Sequence, residues 1–163
     1  MTNSRLTLTL SLLLTLTLSL LLTLTLLTSC SRRTPYHMYE AVNGTEWRMS
    51  DTIHFETDTI RHKGHYVMAV GVRATQDYPY TELQMMAEVQ VDDKKPHSIP
   101  VTLNIKDDGG RMEGDGVTCI TLEQNIDTMK LHRGDVVRAK VYHLMRQEEL
   151  QGIREVGFEV RRK

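Results

Sequence analysis

The chain has 163 residues, with 20 basic and 21 acidic side chains and a formal net charge of −1. This length favours one domain, and the balanced charge argues against a dedicated nucleic-acid-binding protein, which needs a basic surface. An apolar share of 40% argues against a wholly disordered chain, and two cysteines cannot form a disulfide-rich scaffold. The charges are unevenly distributed, because residues 1–29 contain one basic residue, Arg5, and no acidic residue.

The first 29 residues have the pattern of a secretory signal. A short polar start precedes residues 6–27, which consist only of Leu, Thr and Ser and repeat the unit LTLTLSLL. A run of this length also fits a membrane-spanning helix, and its Leu/Thr alternation fits a β-strand. The diluting polar residues and the small residues Thr28 and Ser29 at the boundary favour a cleaved signal peptide.

The segment ends in Leu27-Thr28-Ser29-Cys30, which resembles the lipobox of bacterial lipoproteins. There the cysteine thiol receives a diacylglyceryl group, and cleavage makes that cysteine the new N-terminus. The resemblance implies a signal peptide at 1–29, a lipidated tether at 30–35 and a folded domain at 36–163. It also implies a membrane anchor that carries palmitate or similar acyl chains on Cys30.

With Cys30 used for the lipid, the remaining cysteine has no intramolecular partner. Cys119 lies in the apolar run Val117–Ile120, so we expect a buried, unreactive thiol.

Beyond the tether, apolar residues recur at period two, which is typical of half-buried β-strands. Turn signals rich in Gly, Pro and Asp separate these segments. We predict one antiparallel all-β sandwich, jelly-roll-like and with seven to nine strands. Residues 145–151 alone look helical, for a turn or two. The predicted strand segments are 52–57, 65–74, 81–91, 99–105, 117–122, 137–143 and 153–160.

Three stretches of the predicted domain look familiar when taken together: Trp47 with Asp51–Phe55, then Val72–Leu83 with its Asp-Tyr-Pro-Tyr block, then His143–Gly157. With the lipobox upstream, they resemble the gliding motility lipoprotein GldH family of Bacteroidetes. The resemblance implies a non-catalytic, membrane-anchored envelope protein linked to the gliding and type IX secretion apparatus, with no cofactor. That family usually has Asn shortly after Tyr-Pro-Tyr, where this chain has Thr81-Glu82.

The residues after the cysteine bear on location. Lipoproteins that reach the cell surface in this bacterial group usually carry acidic residues there, whereas this chain has Arg32 and Arg33. The resemblance therefore favours the periplasmic face of a membrane and leaves inner and outer membranes as alternatives.

The Asp-Tyr-Pro-Tyr block has two readings. Pro79 predicts a tight turn. Arg73 is then expected to stack on the ring of Tyr78 or Tyr80, or to pair with Asp77, as a structural clamp. In the alternative reading, these four side chains form a surface for an envelope protein partner.

The second block also has two readings. His143 and Arg146 come at the end of a predicted strand, just before an acidic turn. Arg146 either pairs with Glu149 or Glu155 or binds a carbonyl group of the connection, or it extends the partner surface together with His143.

Other chemistry has weak signals. His62 and His65, with His54 nearby, have a spacing that zinc uses, and the loops Asp107–Gly110 and Glu113–Gly116 offer carboxylates to calcium. Neither pattern matches a metal-binding motif, and no catalytic motif is present, so we predict no metal site and no enzyme. A glycan-binding sandwich with Trp47 or Tyr80 as its platform is the alternative function, which an aromatic content of 6% disfavours.

Overall fold

The computed structural model describes residues 12–19, 36–44 and 46–163, and it divides the chain into residues 1–33 and 34–163. In the first of these units, a helix covers residues 12–19. Within the described part of the chain, we find no helix with both the length and the apolar character needed to cross a membrane. The predicted lipidation site, Cys30, and the rest of the tether before β1 lie outside the described residues.

The described part of the second unit contains ten β-strands, all paired antiparallel, and this confirms the predicted all-β fold class. Apolar and polar side chains alternate along β5, β6 and β8, so one face of each strand is buried. The strands are β1 (Tyr36–Ala41), β2 (Glu46–Arg48), β3 (Ile53–Glu56), β4 (Gly64–Ala74), β5 (Glu82–Val91), β6 (His97–Asn104), β7 (Ile120–Leu131), β8 (Val137–His143), β9 (Glu149–Gln151) and β10 (Ile153–Arg162).

Two four-stranded sheets form the sandwich. Sheet A has the strand order β1-β10-β4-β7, sheet B has the order β3-β8-β5-β6, and β2 pairs with β9 in a separate two-stranded ribbon. The inner faces of the two sheets share one hydrophobic core, in which the rings of Phe55 in sheet B and Phe158 in sheet A are 5.8 Å apart. Burial of this apolar surface is the main force that holds the sheets together.

The two ends of the sandwich can be distinguished by the strand register. At one end, β1 begins, β10 finishes and β4 begins, since Tyr36 is opposite Val160 and Gly64 is opposite Leu131. We call this the Tyr36 end. At the other end, Ala74 is opposite both Ile153 and Ile120. The β2–β9 ribbon also lies at that second end, because β9 continues directly into β10 through Gly152.

Some local interpretations of the sequence are wrong. Residues 145–151 are not helical, because Glu149–Gln151 form β9 and pair with β2. The strand expected from Val117 begins at Ile120, and Val117 itself is 92% exposed. Cys119 therefore lies in a loop and is half-buried rather than buried. The pattern also misses β1, because exposed and half-buried residues do not alternate along it.

Candidate functional site

The three stretches that carry the family resemblance meet at the end of the sandwich opposite Tyr36. Trp47 in β2 is paired with Leu150 in β9, and its ring contacts that of His143 at the end of β8. Gly152, which joins β9 to β10, lies against the backbone of Tyr78. We call Trp47, Tyr78, His143 and Gly152 the motif cluster, and the end that contains them the motif end.

Tyr78 is fully buried and organises the turn between β4 and β5. Its backbone N–H donates to the carbonyl of Thr75 at 3.1 Å, and its hydroxyl donates to the carbonyl of Glu82 at 2.8 Å. The ammonium group of Lys106 donates to the Tyr78 carbonyl. Burial raises the pKa of the Tyr78 hydroxyl, so this group stays protonated and acts as a donor.

Gly152 connects the two motif blocks through direct backbone contact. Its carbonyl accepts a hydrogen bond of 2.7 Å from the N–H of Thr75. Its φ angle is +80°, and a Cβ atom at this position would overlap the backbone nitrogen and Cα of Tyr78. Both the backbone conformation and the close approach therefore require glycine here.

Trp47 and His143 form the aromatic centre of the motif cluster. The indole N–H of Trp47 donates to the carbonyl of Asp51 at 2.9 Å, and the two rings meet edge to face with centroids 5.2 Å apart. His143 is 1% exposed, and among the described residues neither ring nitrogen has a hydrogen-bond partner. Burial lowers the pKa of His143, so the imidazole is neutral at pH 7.

Arg73 does not contact the tyrosines or the aspartate that the sequence suggested. Its Nη1 donates to Oε2 of Glu155 at 2.5 Å, and its guanidinium group lies 4.3 Å from the centroid of the Tyr39 ring. The clamp prediction is therefore wrong in its partners, because β10 and β1 flank this end of β4 on one side and reach the arginine first.

Tyr39 is the centre of a polar network on the outer face of sheet A. Its hydroxyl donates to Oε1 of Glu123 at 2.7 Å, and Nε2 of His37 lies 3.1 Å from the same oxygen. The ring lies across Gly157 and Gly71, where added Cβ atoms would collide with it. We call Tyr39, His37, Glu123, Arg73 and Glu155 the Tyr39 network, which joins all four strands of sheet A. Glycine inside an apolar strand pattern is the sequence signal for such a close approach.

The charges in this network influence one another. The hydrogen bond from Tyr39 is the largest cause that lowers the pKa of Glu123, and His37 adds to the effect. Burial, followed by the hydrogen bond to Glu123, raises the pKa of Tyr39. At neutral pH, the hydrogen bond between β1 and β7 therefore stabilises both the ionised carboxylate of Glu123 and the protonated phenol of Tyr39.

The six residues predicted for a partner surface lie at the motif end, but in different environments. Tyr78 and His143 are buried, and Arg73 belongs to the Tyr39 network. Asp77 and Arg146 are exposed, and half-buried Tyr80 packs edge to face on the Tyr78 ring at 5.7 Å. The expected ion pair of Arg146 is absent among the described residues, since Glu149 pairs with Arg48 and Glu155 with Arg73.

The structure also bears on the alternative chemistries. Trp47 is fully buried, so it does not form an exposed platform for a glycan. Within the described residues, no three His, Cys, Asp or Glu side chains are grouped as a metal site would require. Asp107, proposed for a calcium loop, accepts the backbone N–H groups of Gly109 and Arg111 and the side chain of Arg111.

The fold and the sequence together define the class: a small all-β domain that follows a segment with the sequence pattern of a lipoprotein leader. A model of the GldH lipoprotein family matches residues 34–160. The chain belongs to this GldH lipoprotein family, as its motif blocks suggested. A protein of Christiangramia forsetii, named gliding motility lipoprotein GldH homolog, is 24% identical over 145 aligned residues, and the match covers 83% of this chain and 88% of that protein.

Among solved structures, the similarities are distant. A 4-O-methyl-α-glucuronidase of glycoside hydrolase family 115 is 10% identical with a TM-score of 0.42, over 83% of this chain and 18% of that chain. Eiger TNF of S. frugiperda is 8% identical with a TM-score of 0.37, over 78% of this chain and 92% of that one. A family 35 carbohydrate-binding module of Clostridium thermocellum is 12% identical with a TM-score of 0.35, over 76% of this chain and 89% of the module. At these scores, no functional inference follows.

Proposed function

We propose that this protein is a lipid-anchored, non-catalytic component of the cell envelope that serves the gliding motility or type IX secretion machinery. Acyl chains on Cys30 hold the domain at the periplasmic face of a membrane. The observation that carries this proposal is membership in a lipoprotein family, together with a leader that ends in Leu27-Thr28-Ser29-Cys30. The name of the Christiangramia forsetii relative supports the link to motility.

The mechanism is tethering at a short distance. Five residues separate Cys30 from Tyr36, the first residue of β1. Even when fully extended, this connection spans only about 20 Å. Two or more acyl chains make such an anchor stable, and confinement near the membrane raises the effective concentration of the domain for neighbouring proteins.

Partner contact would use the exposed residues of the motif end. Asp77 and Arg146 are exposed beside half-buried Tyr80, and the turn that carries Asp77 and Tyr80 is held by Tyr78 and Gly152. A surface that is fixed before binding loses less conformational entropy when a partner docks. This supports a contact surface in which the buried motif residues set the shape and the exposed ones meet the partner.

A non-catalytic role is supported by the state of the titratable groups at this end. His143 is neutral and packed against Trp47, with no described acid or nucleophile in hydrogen-bond contact. The Asp107 carboxylate caps its own turn. The hydrogen bond from the backbone N–H of Arg111 is the largest cause that lowers the pKa of Asp107, and the side chain of Arg111 adds to the effect. Such arrangements stabilise loops rather than activate a base or a nucleophile.

The anchor is tested by growing cells that express the protein with radioactive palmitate. We expect label on the wild type, no label on Cys30→Ala, and full label on the control Cys119→Ala, which removes the other cysteine. Membrane fractions should contain the wild type and lack mature Cys30→Ala. Label that survives Cys30→Ala, or an intact leader in the wild type, would contradict the proposal.

The partner surface is tested with a photo-cross-linking amino acid in living cells. At positions 77 and 146, we expect cross-links to an envelope protein of the gliding or secretion apparatus. Lys94, an exposed residue of the turn after β5 at the Tyr36 end, gives the control position. Equal yields at all three positions, or no product at 77 and 146, would contradict partner contact at the motif end.

A further inference from the structure

The two ends of the sandwich carry opposite charge. The exposed bases at the Tyr36 end come from the β3–β4 connection, the end of β7, the β7–β8 connection and the end of β10, which the strand register brings together. Among the described residues, none of these bases forms an ion pair. They are Arg61, Lys63, Lys130, Arg133, Arg162 and Lys163.

Few acids offset these six cations. Asp58 is exposed in the β3–β4 connection, and Asp135 accepts the backbone N–H of His132. Arg161 and Glu159 pair with each other and cancel. The β5–β6 turn at the same end contributes two acids and two lysines, in residues 92–95, and is neutral. Asp127 in β7 also belongs to this end, because the register places it level with Val160 and Tyr36. Six bases against Asp58, Asp127 and Asp135 leave a net of three positive charges on this end.

The motif end has the reverse balance. Its loops and strand ends carry ten acids and five bases, a net of five negative charges. The acids are Glu46, Asp51, Asp77, Glu82, Asp107, Asp108, Glu113, Asp115, Glu148 and Glu149, and the bases are Arg48, Lys106, Arg111, Arg146 and Arg154.

We infer that the Tyr36 end is a membrane-facing surface that binds the headgroups of an anionic phospholipid bilayer. This inference rests on the proposed acylation of Cys30, whose connection to Tyr36 reaches about 20 Å at most. The ten-residue strand β10 is about 33 Å long, so a lipidated Cys30 brings the Tyr36 end nearest to the bilayer. The basic end then faces the anionic surface, and the acidic motif end is repelled towards the periplasm.

The electrostatic attraction between this surface and the membrane is modest and acts over a short distance. Each Lys or Arg near an anionic membrane changes binding by about fivefold, and the effect fades within a Debye length of roughly 10 Å. The surface therefore orients an already anchored domain, which keeps Asp77 and Arg146 of the motif end accessible to a partner. Raising the salt concentration should weaken the orientation without releasing the lipid anchor.

The test uses the purified lipidated protein in vesicles of phosphatidylcholine, with and without phosphatidylglycerol. Flotation reports the anchor, and the rate at which an acylating reagent modifies each lysine reports orientation. In anionic vesicles we expect slower modification of Lys63, Lys130 and Lys163 than in neutral vesicles, while Lys106 at the motif end keeps its rate. High salt should remove the difference.

A matched pair of charge reversals provides the control. Lys63→Glu with Lys130→Glu should return Lys163 to its neutral-vesicle rate, whereas Arg146→Glu with Arg154→Glu, the same charge change at the motif end, should leave Lys163 protected. All four residues are exposed and outside the described ion pairs, so both variants should fold.

The outcomes separate the two proposals. Flotation in both vesicle types with equal lysine rates, or protection of Lys106 instead, overturns the headgroup surface and leaves the anchor intact. A protein that fails to float with neutral vesicles has lost the proposed anchor. Flotation only with anionic vesicles, lost in the Lys63/Lys130 variant, would then support the basic surface alone, and flotation with neither overturns both proposals.

Discussion

The motif cluster and the Tyr39 network each join segments that are far apart in the sequence, by different physical means. In the motif cluster, Trp47, Tyr78 and His143 are buried, and the contacts are apolar packing and backbone hydrogen bonds. In the Tyr39 network, Arg73, Glu155 and Glu123 are partly exposed, and the contacts are charged. Buried packing is worth several kcal/mol at a single residue, whereas partly exposed ion pairs are worth about 1 kcal/mol or less. The motif cluster should therefore dominate stability.

The largest expected effect is that of Trp47→Ala. Removing a fully buried indole leaves a cavity in the motif cluster, and we expect a loss of about 3–5 kcal/mol in the free energy of unfolding. Urea denaturation measures it. Met49→Ala, a truncation two residues away at a side chain that is 45% exposed, is the control and should cost under about 0.5 kcal/mol. Equal losses for both variants would contradict the central position of Trp47.

Gly152→Ala should have the second largest effect, a loss of about 2–4 kcal/mol in the free energy of unfolding. Backbone strain at positive φ adds to the overlap of the new Cβ with the Tyr78 backbone. Gly134→Ala is the matched control, since its φ is +96° but a Cβ there would meet nothing within 4 Å. This control isolates the strain, about 1–2 kcal/mol. Thermal or urea unfolding gives both values, and a Gly152 loss no larger than the Gly134 loss would show that the backbone contact is unimportant.

In the Tyr39 network, Tyr39→Phe should cost about 1 kcal/mol, because it removes one hydrogen bond to a carboxylate. The pKa of Glu123 should rise, since the Tyr39 hydrogen bond is the largest cause of its lowering. Stability from a lowered carboxyl pKa is present at neutral pH and is lost as the pH falls below its usual value of 4.5, so the gap between wild type and variant should narrow there.

The control for that variant is Tyr142→Phe, which removes a hydrogen bond of 3.1 Å to Glu88 on the outer face of sheet B. Among the described residues, no arginine stacks on the Tyr142 ring, and the ring does not cover a glycine. We therefore expect a smaller loss of stability. A Glu123 resonance in NMR titration that shifts equally in both variants, or a larger loss for Tyr142→Phe, would argue against a special role of the Tyr39 network.

The smallest effect concerns His143 and depends on pH. Burial lowers its pKa below the usual value of 6.5, so below that pH the unfolded chain binds a proton more readily than the folded protein does. Wild-type stability should therefore fall as the pH drops through this range. His143→Phe keeps an aromatic edge against Trp47 and removes two unpaired nitrogens, so its stability relative to wild type should increase towards acidic pH. A parallel pH profile for wild type and His143→Phe would contradict this expectation.

The sequence predicts the fold well where one face of a strand is buried and the other is polar. Thus β5, β6 and β8 follow from period two. The sequence does not predict β1 or the partners of Arg73, because both depend on which strands become neighbours in sheet A. At Gly71 and Gly157, a tyrosine ring from β1 covers the sheet where these strands have no side chain of their own. A pattern of apolar and polar residues cannot reveal this contact.

At the motif end, the sequence identified the correct segments but assigned some side chains the wrong environment. Tyr78 and His143 look like surface groups because they are polar and lie beside turns, yet both side chains are buried. The hydroxyl of Tyr78 donates a hydrogen bond to the carbonyl of Glu82. Asp77 and Arg146 are exposed, as expected for turn residues. A hydroxyl or an imidazole in a turn is ambiguous until the backbone groups around it are known.

The pairing of β1 with β10 has a mechanical consequence. The six residues of β1 are all opposite β10, and the strand runs from the Tyr36 end towards the motif end. A pull between Tyr36 and a partner at the motif end acts along this strand, so the backbone hydrogen bonds are loaded in shear and must rupture together rather than unzip one by one. The Tyr39 ring, three residues into the strand, lies over Gly71 and Gly157 and sterically opposes sliding of β1 along β10.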